Sequence, residues 1–154
     1  IDWGTNTIGT DTPNTWRTLS YDEWDYVVFN RPNASSLRGV AQVNGVNGLI
    51  LLPDNWVTPD SITIVSVSGY QQGFTLNQWS VLEQLGAVFL PEAGYRNNTT
   101  VYKVNREGHY WSSNKSKSYD LYAYSFCMYF CDVREMEYEE NRHRGCSVRL
   151  VKDL

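Results

Sequence analysis

The sequence predicts an α+β domain with its helices early and its antiparallel strands late. Three observations predict it. The segments around Ser20 and Thr75 carry the same helix-start pattern, several apolar runs stop at Pro or at Asn-Gly, and the last third alternates as strands do. At 154 residues the chain is long enough for one domain, 1–154, burying roughly 70% of its unfolded surface. Its 42% hydrophobic and 19% charged residues belong to a globular chain and not a disordered one.

In Leu19-Ser20-Tyr21-Asp22-Glu23-Trp24, Ser20 is the expected N-cap and Glu23 its reciprocal partner in a capping box. Leu19 and Trp24 form the hydrophobic staple. This helix should turn Trp24, Val27 and Val28 inward and stop before Pro32. Phe74-Thr75-Leu76-Asn77-Gln78-Trp79 repeats the device, with Trp79, Leu82 and Leu85 inward and Gly86 as a left-handed C-cap.

Between and after the helices the pattern changes to strands. Asn47-Gly48 is read as a turn entering the apolar strand Leu49–Leu52, which Pro53 ends. Ile62 to Val67 alternates, and Ala87–Pro91 repeats the apolar run ending in Pro. Thr99–Val104 and Gly108–Ser113 are expected to form a hairpin around Asn105-Arg106-Glu107. Tyr122–Cys131 is a long strand, and Ser147–Val151 closes the chain. Trp24, Trp79, Leu82, Phe89 and Trp111 are expected in the core, and Trp3 and Trp16 in the scaffold.

Several function classes lose support. The net charge is −4 and there is no basic tract, so a nucleic-acid footprint is missing. No run of eighteen apolar residues suggests membrane insertion. The chain opens at Ile1 without an initiator Met or signal segment, so it is expected to be a piece of a longer protein. Asp54-Asn55 alone falls short of a calcium loop. The triplets beginning at Asn33, Asn97, Asn98 and Asn114 are taken as chance matches to a glycosylation signal.

Three cysteines exclude a complete disulfide framework. Cys127 and Cys131 on one strand would lie about 13 Å apart, too far to bridge. Cys-x3-Cys with His143 does not have the usual zinc-knuckle spacing. His109 and His143 have no evident Ser or Asp partner, so neither is assigned a catalytic role. No cofactor, metal or catalytic residue is expected.

What remains is a contact surface. In Tyr122–Cys131, Tyr124, Phe126, Met128 and Phe130 alternate with Ser125, Cys127, Tyr129 and Cys131. The first set should face the core and the second should form an exposed row. Tyr119 and Tyr122 would border it, and Glu137, Glu139, His143 and Cys146 would return beside it. Glu135–Glu140 interleaved with Arg134, Arg142 and Arg144 is mixed charge of the solvated kind. Tyrosine anchors among polar groups are the chemistry of displayed binding surfaces.

Over nearly its whole length the chain resembles a known family. The residues are Asp2-Trp3-Gly4, Trp16–Ser20 with Glu23-Trp24, Gly48–Trp56, Gln78–Glu83, Gly86–Pro91 with Ala93–Arg96, Tyr110–Ser113 and Ser147–Val151. In this order they are similar to the Fibrobacter-type major paralogous domain of gut-bacterial surface proteins. The resemblance implies a C-type lectin-like fold, of the branch that also holds formylglycine-generating enzymes and the phage major tropism determinant. Some members of that branch are variable proteins of diversity-generating retroelements. By that likeness residues 110–154 would be the variable region of an adhesin, pilus tip or phage tail fibre. Such a domain would work outside the cell, on a bacterial outer surface or a phage particle, binding a protein or glycan on a cell surface. A history of mutagenic copying would also account for free thiols in this stretch. The lectin calcium motifs and the paired catalytic cysteines of the formylglycine-generating branch are missing, so neither activity is carried over. The rival expectations are a thiol enzyme using Cys127 or Cys146, and a structural module of an envelope protein.

Overall fold

The computed structural model describes residues 3–62, 72–129, 132–133 and 138–153. In chain order it contains β1 (Arg17–Thr18), α1 (Tyr21–Asp25), β2 (Arg38–Val43), β3 (Val46–Leu51), β4 (Gly73–Phe74) and α2 (Leu76–Gln84). β5 (Val88–Pro91), β6 (Tyr95–Asn97), β7 (Thr100–Tyr102), β8 (Glu107–Lys115) and β9 (Tyr122–Tyr129) follow. β10 (Asp132–Val133), β11 (Tyr138–Asn141) and β12 (Leu150–Val151) complete it. The architecture is α+β, with two short helices and mostly antiparallel strands. Among the described residues no helix is long and apolar enough to cross a membrane.

Both capping boxes form. The Ser20 hydroxyl accepts from the Glu23 amide while the Glu23 carboxylate accepts from the Ser20 amide, and Thr75 and Gln78 do the same. Each box satisfies amides that a helix start leaves orphaned. α1 lasts five residues and then widens into a π-turn over Tyr26–Asn30. The backbone N–H of Arg31, next to Pro32, donates to the Tyr26 carbonyl. Val28 is buried on this turn, whereas Val27 is half-buried. Gly86 has φ +94°, as a left-handed cap requires. Leu85 is not inward as expected: it is 48% exposed, because the helix has already ended at Gln84.

The sheet ordered β4-β2-β3-β5 is covered on both faces. Ala41, Val43 and Ile50 lie with Phe74, Trp79 and Leu82 on the α2 side. Leu49, Leu51 and Leu90 lie with Trp24, Val28, Tyr110, Phe126 and Met128 on the other. Two-sided burial explains why β3 reads as a continuous apolar run. The turn entering β3 is Asn44-Gly45, with φ +50° and +79°, and not Asn47-Gly48. Gly48 lies within β3, where a Cβ would come within 2.4 Å of the Leu90 carbonyl oxygen. Close approach of β5, not turning, demands glycine there.

Two further expectations are corrected. β7 pairs with β6, and β8 pairs with β9, so the hairpin around Asn105-Arg106-Glu107 does not exist. Lys103 and Asn105 both adopt left-handed φ, which turns the chain away. The Asn105 side chain accepts from the Asn47 amide, pinning the loop to β3. Trp111 is only half-buried, and so is Phe89. Trp16 is half-buried and donates its indole N–H to Asp11 at 2.8 Å. Of the expected strand at Ile62–Val67, only Ile62 lies among the described residues, and it is buried. β12 pairs with β1, joining the two ends of the domain, while Ser147 bridges Tyr110 in parallel.

Candidate functional site

β9 decides how the C-terminal third is built. It lies between β8 and β11, and its side chains alternate as the sequence predicts. Phe126 and Met128 enter the core beside Trp24. Ser125, Cys127 and Tyr129 lie on the opposite face, but the expected exposed row is not exposed. Ser125 and Cys127 are fully buried and Tyr129 half-buried. The reason is a covering layer: Gly145 bridges Arg96, Ser147 bridges Tyr110, and the Arg144 guanidinium lies 4.6 Å from the Tyr95 ring centre. Alternation fixes which face a side chain takes, but not what lies over that face.

Beneath this layer is a buried polar network. His109 Nδ1 is 3.1 Å from the Cys127 sulfur, and Nε2 is 3.2 Å from Glu107 Oε2. Lys103 Nζ reaches Glu107 at 3.2 Å. The buried carboxylate of Glu140 accepts from Arg144 at 2.8 Å and approaches His109 Nδ1 at 3.9 Å. Tyr95 and Tyr129 meet the imidazole edge-on, at 5.1 and 5.7 Å. A thiol, an imidazole and a carboxylate in line are also the parts of a nucleophilic site. Here burial seals the thiol and pushes its pKa up to about 12, with Glu140 and Glu107 adding to the rise. Burial pushes Cys146 up to about 12 as well. Both sulfurs are therefore neutral near pH 7, and Cys127 can donate its S–H to Nδ1 while Nε2–H donates to Glu107.

Two results are expected from this arrangement. Cys127 and Cys146 should react slowly with a thiol reagent in the folded protein and quickly once it is denatured. Folding also raises both thiol pKa values from 9.0 to about 12. That linkage stabilises the fold below the unfolded pKa and is lost as pH rises through the folded one. The denaturant midpoint should therefore fall between about pH 9 and pH 12, and Cys127→Val should reduce that fall. A midpoint independent of alkaline pH would contradict buried thiols.

The exposed surface lies at the loops around this network. Ser116, itself buried, accepts from the amides of Ser118 and Tyr119 and donates to Glu139 at 2.6 Å. These bonds fold the β8–β9 loop into one shape. Tyr119 is 61% and Leu121 72% exposed on it, and Tyr119 packs against half-buried Tyr122 at 5.6 Å. The loop is tied to the segment after β11: the Arg142 amide donates to the Leu121 carbonyl, and its guanidinium to that of Asp120.

Two concavities flank the tied loops. One, of about 370 Å³, has Tyr21, Lys115, Lys117, Tyr124 and Glu139 in its walls. The other, of about 480 Å³, lies on the opposite face of β9, between Arg96, Trp111, Arg142, His143, Arg144 and Cys146. Both fall within the usual size range of ligand sites. Among the described residues no group of three or more His, Cys, Asp or Glu side chains could hold a metal ion.

Of the residues expected to make contacts, Tyr119, Tyr122, Glu139, His143 and Cys146 fall in or beside these two sites. Ser125 and Cys127 belong to the buried network, and Tyr129 packs on its histidine. Cys131 and Glu137 lie outside the described residues. Sequence reasoning missed Arg96 and Trp111 as groove walls and the buried Ser116 as the residue that shapes the loop. Ser116 carried a faint signal, as a Ser followed by Lys117-Ser118 in a loop, whereas Arg96 reaches the site only through its pairing with Gly145. No family model, no curated protein and no solved structure matches this chain.

Proposed function

We propose that this chain is a non-enzymatic ligand-binding domain. It presents a C-terminal contact surface on a C-type lectin-like scaffold, as part of an extracellular adhesin, pilus or tail-fibre protein. One observation carries the reading. Aromatic and charged side chains of residues 115–124 and 139–146 line two open concavities, while the thiol that could serve chemistry lies sealed beneath them. The sheet supplies rigidity and the loops supply contacts, a division of labour common to binding proteins. On the resemblance of its phrases, residues 110–154 would be the variable region of a diversity-generating retroelement protein. The buried row along β9 narrows the side chains free to vary to those on the loops and groove walls.

The rival thiol enzyme has a specific observation in its favour, the line of Cys127, His109 and Glu107. Fast modification of Cys127 in the folded protein would support the enzyme and count against the binding reading. The binding reading is tested with the labelled domain on intact bacterial cells, followed by cytometry. Tyr119→Ala should lower retention about tenfold or more, as expected for an exposed aromatic anchor. Its melting temperature should stay unchanged, because Tyr119 is mostly exposed. Retention unaffected by Tyr119→Ala and Tyr122→Ala together would remove the tyrosine pair from the contact surface.

A further inference from the structure

The groove beneath the Arg142–Cys146 segment allows the ligand chemistry of the proposed face to be specified, and the inference rests on that binding reading. Its walls carry Arg96, Arg142, His143 and Arg144, and among the described residues no carboxylate lines it. This is unexpected for a chain with 17 acidic and 13 basic residues. The three arginines are not equivalent. Arg144 is neutralised by Glu140 and stacked on Tyr95, so it serves as wall.

Arg96 and Arg142 are exposed, and among the described residues neither guanidinium pairs with a carboxylate. Arg142 spends one N–H on the Asp120 carbonyl and keeps the others. Arg96 is aimed by its backbone, which exchanges both hydrogen bonds with Gly145 at 2.8 Å. Its side chain runs under Gly145, where an added Cβ would meet Arg96 Cβ at 3.1 Å and Nε at 3.2 Å. Both guanidiniums line the same groove and keep N–H donors, which a carboxylate could accept in pairs.

We propose that this groove binds the side-chain carboxylate of an acidic segment on a protein partner, held by Arg96 and Arg142 beside Trp111. The surroundings favour a protein over an acidic sugar. Leu121, on the loop tied to Arg142, is 72% exposed and offers an aliphatic contact next to Tyr119. Trp, Tyr and Arg around such a contact are the usual anchors of protein interfaces. The domain's net charge of −4 opposes general attraction of acidic chains, so any such binding must arise locally.

The test uses a pool of short random peptides with two fixed Asp or Glu positions, and a matched pool with Asn or Gln there. The intact domain should enrich the acidic pool, and the amides of Gly145 and Cys146 should shift in nuclear magnetic resonance spectra on binding. Arg96→Gln and Arg142→Gln should each weaken binding about tenfold, with melting temperatures unchanged. If Arg96→Gln fails to fold, Arg142→Gln and the amide shifts decide. Equal enrichment of the amide pool, no enrichment of either, or full binding by the arginine variants would overturn the proposal. So would an acidic oligosaccharide such as oligogalacturonate binding in place of peptide with the same arginine dependence. None of these outcomes touches the wider binding reading, which Tyr119→Ala tests on cells.

Discussion

Trp24→Ala should destabilise the domain by about 3–5 kcal/mol, a larger loss than Glu140→Ala or Trp111→Ala should cause. Trp24 is 1% exposed and stacks on Phe126 at 5.2 Å, with Tyr110 tilted against it at 5.9 Å. Its indole N–H donates to the Trp111 carbonyl at 3.3 Å, tying α1 to β8. Removing the ring opens a cavity between two layers that cannot collapse without moving a sheet. Trp111→Ala should cost clearly less, since Trp111 is half-buried on the groove side and lends its backbone, not its ring, to that bond. Chemical denaturation of both variants checks the ranking, and a Trp111 loss equal to that of Trp24 would contradict it.

Glu140→Ala is the second large effect, expected to cost about 2–4 kcal/mol. The carboxylate is 3% exposed, and its loss strands the Arg144 guanidinium over Tyr95 and leaves His109 without that neighbour. Arg144 retains partial solvent contact, which holds the cost below that of a fully buried broken pair. The variant has a second signature. Burial is the main cause of the high thiol pKa values, and Glu140 contributes to both. Its removal should therefore quicken thiol modification in the folded state. Denaturation midpoints and the rate of thiol labelling measure the two effects. Stability lost without any gain in labelling rate would show that Glu140 does not act on the sulfurs.

What the sequence made legible was local. The capping boxes at Ser20 and Thr75 depend on residues three apart, so they could be read directly, as could the alternation of β9. Partners distant in sequence could not. β8 pairs with β9 because Lys103 and Asn105 turn the chain left-handed, a conformation that Lys does not advertise. The polar face of β9 was read as surface because Ser125 and Cys127 are small and polar, whereas the segment over them is held by contacts such as Arg96 with Gly145, nearly fifty residues apart. Buried polar groups are stable only when every member finds partners, and those partners come from four strands and two loops. Tyr119 was legible because a loop tyrosine needs no distant pairing to remain accessible, and Tyr122, at the start of β9, packs against it.

The division between fixed network and displayed loops is tested most directly by sequencing this gene from many isolates of one strain. Substitutions should concentrate at loop and groove-wall positions such as Lys117, Tyr119, Leu121, Arg142 and His143. The buried residues Glu107, His109, Ser125, Phe126, Cys127 and Glu140 should stay constant. Substitutions spread evenly along the chain, or falling as often on the buried row of β9 as on the loops, would contradict a displayed, diversified binding face.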